Sequence, residues 1–350
     1  MTRMRTLRLT WRLPLARVAL AVLAVVAVLA VFGRQLAPQD PLAQDTAHIL
    51  QGPSGAHLLG TDYLGRDVLS RLLAGTALSV AGALEAVGAA LVLGIVPGLA
   101  SLWLGRAFEW TALRAVDALM TLPFTLFAIA AVGVLGNGLH QAMLALGVLL
   151  SPLFFRVTRA AALGLRQTPY VEAAELMGAS RTRVLRTHIW SKVLPTVAVT
   201  TAQALATSLL TVASLTFLGL GVQPPAATWG GMLATDLGFL AQQPWAPVLP
   251  GALVMVTVGA LHLLADALRD SGGPGALAAL DADAALAAAA GATPEPERGA
   301  PDPAAAVRTD PAAGVPDPAA GVPDPADATG ADENPDAQDR GGRTDARISA

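Results

Sequence analysis

Six long apolar runs constrain the fold of this chain more than any other feature. Each approaches the ~20 residues that a helix needs to cross the hydrocarbon core of a bilayer. Charged residues make up only 14% of the sequence, whereas soluble domains contain about 25%. The sequence therefore predicts an all-α, polytopic membrane protein with six transmembrane helices. The runs cover residues 18–33, 76–103, 115–135, 139–163, 195–218 and 246–268.

The runs divide the chain into segments. Pro97, Pro123 and Pro152 fall inside them, but bundled membrane helices tolerate proline because neighbouring groups satisfy the freed backbone. We therefore expect each run to form one span. The predicted segments are a basic N-terminus (1–17), a first transmembrane helix (18–33), a polar segment with a short amphipathic helix from about Asp67 to Leu73 (34–75), a core domain with five transmembrane helices (76–270) and a tail (271–350).

The basic N-terminus has two interpretations. Five arginines precede the first apolar run, which is also the pattern of a secretory signal peptide. The run is longer than a usual signal core, however, and Phe32-Gly33-Arg34 is a poor small-residue cleavage site. The sequence thus favours an uncleaved first span that begins in the cytoplasm.

The distribution of positive charge predicts the orientation of the spans. Six spans that begin inside place residues 1–17, 104–114, 156–192 and the C-terminus in the cytoplasm. The first three of these segments carry five, two and seven Lys and Arg residues. The opposite side has three arginines in 34–75 and no Lys or Arg in 136–138 or 219–245. The positive-inside rule therefore supports cytoplasmic termini.

The tail, residues 271–350, differs in composition from the rest of the chain. Proline, alanine, glycine and aspartate dominate it, and Ala-Ala-Gly-Val-Pro-Asp-Pro occurs at 312–318 and again at 319–325. Such a segment has little apolar surface to bury. We therefore expect a disordered, acidic cytoplasmic tail.

Sequence motifs for catalysis, cofactors and metals are missing. The chain has no cysteine, no G-x-x-x-x-G-K-[ST] phosphate loop and no G-x-S-x-G elbow, and its five histidines are scattered. We therefore expect no catalytic residue, no metal site and no cofactor, and no nucleic-acid partner is indicated.

Three acidic residues in or beside the runs, Glu85, Asp117 and Asp266, each have two interpretations. Ionisable groups at membrane depth often mark a substrate or proton path. The alternative is local charge balance, which Arg114 and Arg269 favour for Asp117 and Asp266. Glu85 stays open because no cation is adjacent in the sequence.

One polar stretch, residues 156–195, interrupts the apolar runs on the predicted cytoplasmic side. Thr168-Pro169 is typical of an N-cap followed by proline at the first helical position. The helix that it opens has acidic residues early, which suits the helix dipole, and Gly178 is a typical stop.

A second helix follows, for which Ser180 is the predicted N-cap. Val184, Leu185 and Ile189 share one face of this helix, so it is amphipathic. A helix–glycine–helix hook with an apolar face between two spans indicates a docking element. We refer to residues 164–192 as the hook.

Four motifs resemble those of inner-membrane permease subunits of binding-protein-dependent ABC importers. Glu172-Ala173-Ala174-x-x-x-Gly178 matches their E-A-A-x(3)-G signature. Three further stretches resemble the "C"-type permease of the dipeptide/oligopeptide/nickel subfamily. They are an outer motif at His57, Gly60, Thr61, Asp62, Gly65, Arg66, Asp67, Ser70 and Arg71, a loop motif at Gly219, Gly221, Gln223, Pro224, Pro225, Trp229 and Gly230, and a closing Asp266-x-Leu268-Arg269-Asp270.

The resemblance implies a type I ABC importer permease fold in the plasma (inner) membrane, with a cytoplasmic coupling helix. It implies that the hook docks on an ATPase subunit, and that peptides or another small solute such as nickel chelates move inward. The implied partners are a second homologous permease, two ABC ATPase subunits, an extracytoplasmic solute-binding protein and the lipid bilayer. The implied docking residues are Glu172, Ala173, Ala174, Gly178, Ala179 and Ser180.

The roles of the outer and loop motifs remain open between contact with the binding protein and bracing of the bundle, with bracing favoured. The hook also departs from the family pattern, which commonly reads H-I-L-P-N near its end. This chain has His188-Ile189 but Leu194-Pro195 only later, so we expect its helix to run further before bending.

Two rival classes fit the sequence less well. A secondary transporter or channel would need charged residues along its spans and would have no use for a docking hook. A domain of an ABC exporter normally carries a fused ATPase and lacks the pattern of the outer motif.

Overall fold

The apolar runs of the sequence form helices in the computed structural model, which describes residues 14–136 and 138–272. Throughout these ranges the regular elements are helical, apart from an isolated bridge between Thr61 and Asp67. The helices are α1 (Pro14–Leu36), α2 (Val68–Ala100), α3 (Arg106–Thr121), α4 (Phe124–Leu135), α5 (Leu139–Arg166), α6 (Pro169–Leu176), α7 (Arg181–Val184), a π-helical turn (Leu185–Ile189), α8 (Trp190–Phe217), α9 (Trp229–Leu237) and α10 (Val248–Gly272), with a short 3-10 turn at Thr46–His48.

Five helical stretches are long and apolar enough to cross a membrane: Leu15–Leu36, Val68–Ala100, Leu139–Arg166, Arg181–Phe217 and Val248–Asp270. Large apolar side chains point outward from them, including Val25, Val96 and Met255, which are 59%, 62% and 70% exposed. A surface of this kind is stable only against lipid or another apolar surface. The prediction of an all-helical polytopic membrane protein is confirmed.

The predicted span 115–135 is not one helix. Helix α3 ends at Thr121, and α4 begins at Phe124. Between them Leu122 has extended backbone angles, φ −77° and ψ 127°, because a residue before proline is pushed out of the helical region. Pro123 therefore separates two helices, each shorter than a span, instead of being absorbed within one.

The predicted short amphipathic helix at 67–73 is not a separate element. Asp67 is the N-cap of α2, and its carboxylate accepts a hydrogen bond from the Ser70 N–H. These residues form the first turns of a helix that continues without a break to Ala100. The predicted disordered tail lies outside the described residues from 273 onward.

Helices α2 and α5 pack closely along their lengths. A Cβ on Gly94 would lie 2.5 Å from the Ser151 carbonyl oxygen and 2.9 Å from the Phe155 nitrogen. Small residues allow membrane helices to approach in this way. A core cluster that includes Ala83, Met143 and Leu209 joins α2 and α5 to α8.

Helix α2 connects the two regions that carry the motifs. Its first turn belongs to the outer motif. At its other end Leu99, and Leu102 in the turn that follows the helix, pack with buried side chains of the hook. Helix α8 continues from the hook to Phe217, two residues before the loop motif begins. The two motif regions therefore lie at opposite ends of the same helices.

Candidate functional site

The first helix of the hook ends as its sequence predicts. Thr168 occupies the N-cap position of α6 with Pro169 at the first helical position, although the Thr168 hydroxyl donates to the Leu165 carbonyl instead of capping. At the other end Gly178 has φ +82°. The Ala179 N–H donates to the Ala174 carbonyl, and the Gly178 N–H to the Glu175 carbonyl. This pair of bonds is a Schellman motif, for which glycine is the favoured residue.

The residues of the E-A-A signature face two directions. Glu172, Ala173 and Gly178 are exposed, whereas Ala174 is only 6% exposed and packs inward with Val171. Of the two alanines implied in docking, Ala173 therefore lies on the outward surface, and Ala174 faces the interior of the chain. In an α-helix successive residues lie on different faces, so only one alanine of the pair can face outward.

The apolar face of the second hook helix is also turned inward. Val184 and Ile189 are fully buried and pack with Leu102 and Ala162 of the same chain, while Arg183 and Arg186 are exposed. This face was the feature that suggested docking, and its partner is the chain's own helices.

The exposed apolar tip of the hook consists of Leu176 and Met177, which are 84% and 82% exposed. Sequence reasoning missed this pair. The signal was present, because two large apolar residues directly before a helix-ending glycine have no neighbouring turn to cover them. Together with Glu172 and Ala173, they form the outward surface of α6.

Tyr170 is held beside the second half of the hook. The Lys192 ammonium donates to the Tyr170 hydroxyl at 3.0 Å and lies 4.1 Å from its ring centroid, a cation–π contact. Burial raises the pKa of the Tyr170 hydroxyl, but the hydrogen bonds from Lys192 and Thr168 outweigh it and lower the pKa below its ordinary value. The start of α6 is thereby fastened to the start of α8.

The exit from the hook is helical throughout. Arg181 to Phe217 form one helical stretch of 37 residues that passes through Pro195. Its one irregularity is the π-helical turn Leu185–Ile189, before the position where the family pattern has its proline. The prediction that this helix runs further than the family pattern suggests agrees with the structure.

The acidic residues of the runs all have basic partners. Glu85 lies 2.8 Å from the His140 ring nitrogen, and Asp117 lies 2.8 Å from Arg156 and 3.6 Å from Arg114. A partner 55 residues away could not be recognised for Glu85 from the sequence. Asp266 pairs with Arg269 at 3.3 Å, as local charge balance predicts.

A buried ion-pair cluster lies at the centre of the outer motif. The Asp62 carboxylate accepts from Arg66 Nε at 2.7 Å and lies 3.3 Å from Arg71 Nε. The three side chains are between 4% and 9% exposed. Asp62 also accepts from the Leu64 and Arg66 N–H groups, so the carboxylate is satisfied on every side, as a buried charge requires.

The remaining outer-motif residues shape the same segment. His57 lies 3.1 Å from the Asp67 carboxylate, and Thr61 is fully buried. Gly60 has φ +80°, and a Cβ there would collide with the Gln51 carbonyl oxygen. Gly65 likewise has φ +73° beside the Asp45 backbone. Glycine is needed at both positions because a side chain would have neither space nor a relaxed backbone.

The loop motif packs on the outer motif. Arg71 Nη1 donates to the Pro225 carbonyl at 3.4 Å. The Trp229 indole N–H donates to the Leu72 carbonyl at 3.4 Å, and the ring is 1% exposed. A Cβ on Gly230 would collide with the Ala213 carbonyl oxygen. In contrast, the part of the loop from 223 to 226 is exposed.

Asp236, on α9, belongs to the same region and was missed by sequence reasoning. It is 8% exposed, and its Oδ2 has no hydrogen-bond partner among the described residues. Burial, with the nearby Asp62 charge, raises its pKa to about 6, although Arg71 acts in the opposite direction. A polar cavity of about 150 Å³ lies close by, lined in part by Tyr63, Arg66 and Arg71.

The fold and these two motif regions define a polytopic membrane transport component without a phosphate loop of its own. Residues 90–271 match the family described as "Binding-protein-dependent transport system inner membrane component", and residues 7–53 match "N-terminal TM domain of oligopeptide transport permease C". The chain belongs to the family of binding-protein-dependent transport system inner membrane components. It is a permease subunit of an ATP-binding-cassette importer, and the predicted resemblance to the dipeptide, oligopeptide and nickel type is confirmed.

Similar proteins include transport permeases from two bacteria. The chain is 34% identical over 272 residues to the probable D,D-dipeptide transport system permease protein of Escherichia coli strain K12, covering 77% of this chain and 91% of that protein. It is 35% identical to the nickel transport system permease protein of the same strain (73% and 92% coverage). It is 33% identical to the dipeptide transport system permease protein of Alkalihalophilus pseudofirmus (73% and 84%).

A solved structure titled as inward-facing conformations of the MetNI methionine ABC transporter is also similar to this chain. It has a TM-score of 0.48 and 19% identity, over 57% of this chain and 95% of that one.

Proposed function

We propose that this permease carries dipeptides or short peptides into the cytoplasm, together with a second homologous permease. The support is that two of the relatives above are described as dipeptide permeases and that residues 7–53 match an oligopeptide permease domain. The nickel permease of Escherichia coli is similarly close, so a nickel chelate is the alternative cargo.

Separate ATPase subunits drive transport in this proposal, and they dock on the hook. The observation that carries it is the outward surface of α6, where Glu172 and Ala173 lie beside the exposed Leu176 and Met177. Exposed apolar side chains beside a carboxylate suit a groove that buries the apolar pair and offers a cation at its rim. Gly178, Ala179 and Ser180 set the turn that presents this surface.

The outer and loop motifs mainly brace the outer end of the bundle, on this proposal. The charged side chains of Asp62, Arg66 and Arg71 are buried and pair with one another, so they do not face a partner. The contact surface for an extracytoplasmic binding protein is then the exposed part of the loop motif, Gln223, Pro224 and Pro225.

The proposed location is the plasma (inner) membrane, with the hook and both termini in the cytoplasm. The basic residues of the hook and of the N-terminal segment support this orientation through the positive-inside rule. Labelling of single introduced cysteines with a membrane-impermeant reagent in intact cells tests it: a cysteine at Gln223 should react, and one at Met177 should not.

Uptake by proteoliposomes tests the function. Liposomes containing both permeases and both ATPases, with binding protein outside, should accumulate a labelled dipeptide only when ATP is enclosed. Accumulation of labelled Ni²⁺ chelate instead would assign the alternative cargo. Uptake that persists without ATP or without the ATPases would overturn the importer assignment in favour of a secondary transporter.

A further inference from the structure

The turn that follows α2, residues 101–104, offers unpaired carbonyls to the hook. Ser101 is the C-cap of α2, and its N–H donates to the Pro97 carbonyl at 2.9 Å. The N–H groups of residues 101–104 and the Ser101 hydroxyl satisfy the last four carbonyls of α2, those of residues 97–100. The carbonyls left for outside donors are therefore those of the turn itself. We refer to residues 101–104 as the seat.

Three arginines from outside α2 reach this turn. Arg159 Nη1 donates to the Ser101 hydroxyl at 2.6 Å, and Arg166 Nη1 donates to the Leu102 carbonyl at 2.6 Å. Arg181 Nη1 donates to the Trp103 carbonyl over a longer 3.4 Å. The Arg166 guanidinium also lies 5.9 Å from the Trp103 ring centroid. Cations at a helix C-terminus are favourable, because the dipole presents negative charge there.

These arginines join three different elements at the seat. Arg159 and Arg166 lie in the last turns of α5, the second of them where the hook begins, and Arg181 begins α7 within the hook. The Arg159 guanidinium also pairs with Glu109 of α3. All three donors are charged, and hydrogen bonds from charged donors are short and strong. The two bonds of 2.6 Å, from Arg159 and Arg166, are therefore stronger than the 3.4 Å bond from Arg181.

An apolar contact lies beside the arginines. Leu102 is 7% exposed and belongs to the same cluster as Val171, Val184 and Ile189 of the hook, and Trp103 packs against this cluster. The seat therefore contacts both halves of the hook through buried side chains. The three arginines add hydrogen bonds at the edge of this apolar contact.

We propose that Arg159, Arg166 and Arg181 are positioning residues that fix the hook on the seat, so that the hook and the adjoining ends of α2 and α5 move as one body. This inference rests on the proposed function, in which the ATPase acts at the hook. The seat is then the point at which displacement of the hook passes to the membrane helices. Arg166 is the principal member, because it bonds the Leu102 carbonyl and covers the Trp103 ring.

Spin-label distances between the hook and the seat test this proposal. The chain has no cysteine, so Leu104→Cys and Thr187→Cys, both at exposed positions, give one labelled pair. In the complex with its ATPases the distance distribution should be narrow and should not change when Mg–ATP is added. In the Arg166→Ala background it should broaden, and ATP should shift it by roughly 1–5 Å, the range of helix shifts in switching proteins.

Arg186→Ala is the matched control, because Arg186 is an exposed arginine of the same hook and no hydrogen bond or ion pair among the described residues joins it to the seat. It should leave the distribution narrow. An unchanged distribution in Arg166→Ala would overturn the proposal. If Arg166→Ala does not insert, Arg166→Lys decides: it keeps the charge but loses the planar contact with Trp103, so partial broadening supports the proposal and a wild-type distribution overturns it.

The failure of the proposed function has a different signature. ATPase subunits that do not co-purify with the unsubstituted chain would remove the driver of the hook. ATPases that co-purify with every variant, while the distances respond to neither substitution nor ATP, would contradict the seat alone.

Discussion

The outer motif and the E-A-A signature of the hook use the same kinds of residue in opposite ways. The outer motif turns its charges inward: Asp62, Arg66 and Arg71 are buried, and the Asp62 carboxylate pairs with both arginines. The hook leaves Glu172 exposed beside the apolar side chains of Leu176 and Met177. A motif therefore does not indicate by itself whether its residues meet a partner or hold the chain together. Burial distinguishes the two.

The largest expected difference is in the stability lost when a buried or an exposed ion pair is broken. Arg66→Ala leaves the Asp62 carboxylate buried with one partner fewer, which typically costs about 3–5 kcal/mol. The purified protein should lose stability in thermal unfolding. Asp266→Ala breaks an exposed pair, 60% and 57% exposed, and should change the midpoint little. Equal effects of the two substitutions would contradict the division between a braced region and an exposed one.

Two glycines with nearly the same backbone angle sharpen the comparison. Gly60 and Gly178 have φ values of +80° and +82°, but only Gly60 is surrounded by backbone, and nothing lies within 4 Å of a Cβ on Gly178. Gly178→Ala should therefore cost only the left-handed strain, roughly 1 kcal/mol, while Gly60→Ala should cost about 2 kcal/mol more through overpacking. Thermal unfolding of the two variants checks this, and a larger loss for Gly178→Ala would contradict it.

Substitution of an exposed leucine should affect ATPase binding at the hook but not near the outer motif. Leu176→Asp places a charge on the proposed docking surface and should weaken ATPase association at least about tenfold, or about 1.4 kcal/mol. Leu58→Asp changes a 61% exposed leucine next to His57 of the outer motif and should leave ATPase association unchanged. Titration of ATPase subunits onto detergent-solubilised permease measures both. Glu172→Lys and Gly178→Pro should also reduce association, and normal co-purification of all three hook variants would exclude docking there.

The last comparison concerns pH and the buried Asp236, whose effect on stability should vanish under acidic conditions. Its pKa in the folded protein, about 6, lies above the ordinary 3.8, so the folded state binds the proton more tightly than the unfolded state. Ionisation of the buried Asp236 carboxyl lowers the free energy of unfolding. This loss of stability is absent below about pH 4, increases as the pH rises towards 6 and reaches its full size above pH 6. Asp236→Asn should therefore raise the free energy of unfolding near pH 8 by about 1–3 kcal/mol, since one pKa unit corresponds to about 1.4 kcal/mol, and the thermal unfolding midpoint should rise with it. The gain should disappear near pH 4, and a gain that is independent of pH would refute this explanation.

Features with a local cause could be predicted from the sequence, and those that depend on distant neighbours could not. The N-cap position at Thr168 and the stop at Gly178 follow from adjacent residues. The inward side of Ala174 and the bond from Arg166 to Leu102, 64 residues away, do not. The break at Pro123 also has a local cause, since the restriction that proline places on the Leu122 backbone outweighs the tolerance of bundled membrane helices for proline.

The unbroken helical stretch from Arg181 to Phe217 has a mechanical consequence. With 37 residues and a rise of 1.5 Å per residue, it is roughly 55 Å long. One end lies in the hook, and the other leads into the loop motif. If the stretch pivots about its hook end, a tilt of about 10° displaces the far end by about 10 Å, given that length. A small rocking motion at the hook then gives a large displacement at the opposite face. The π-helical turn Leu185–Ile189 and Pro195 are two positions at which the stretch can bend.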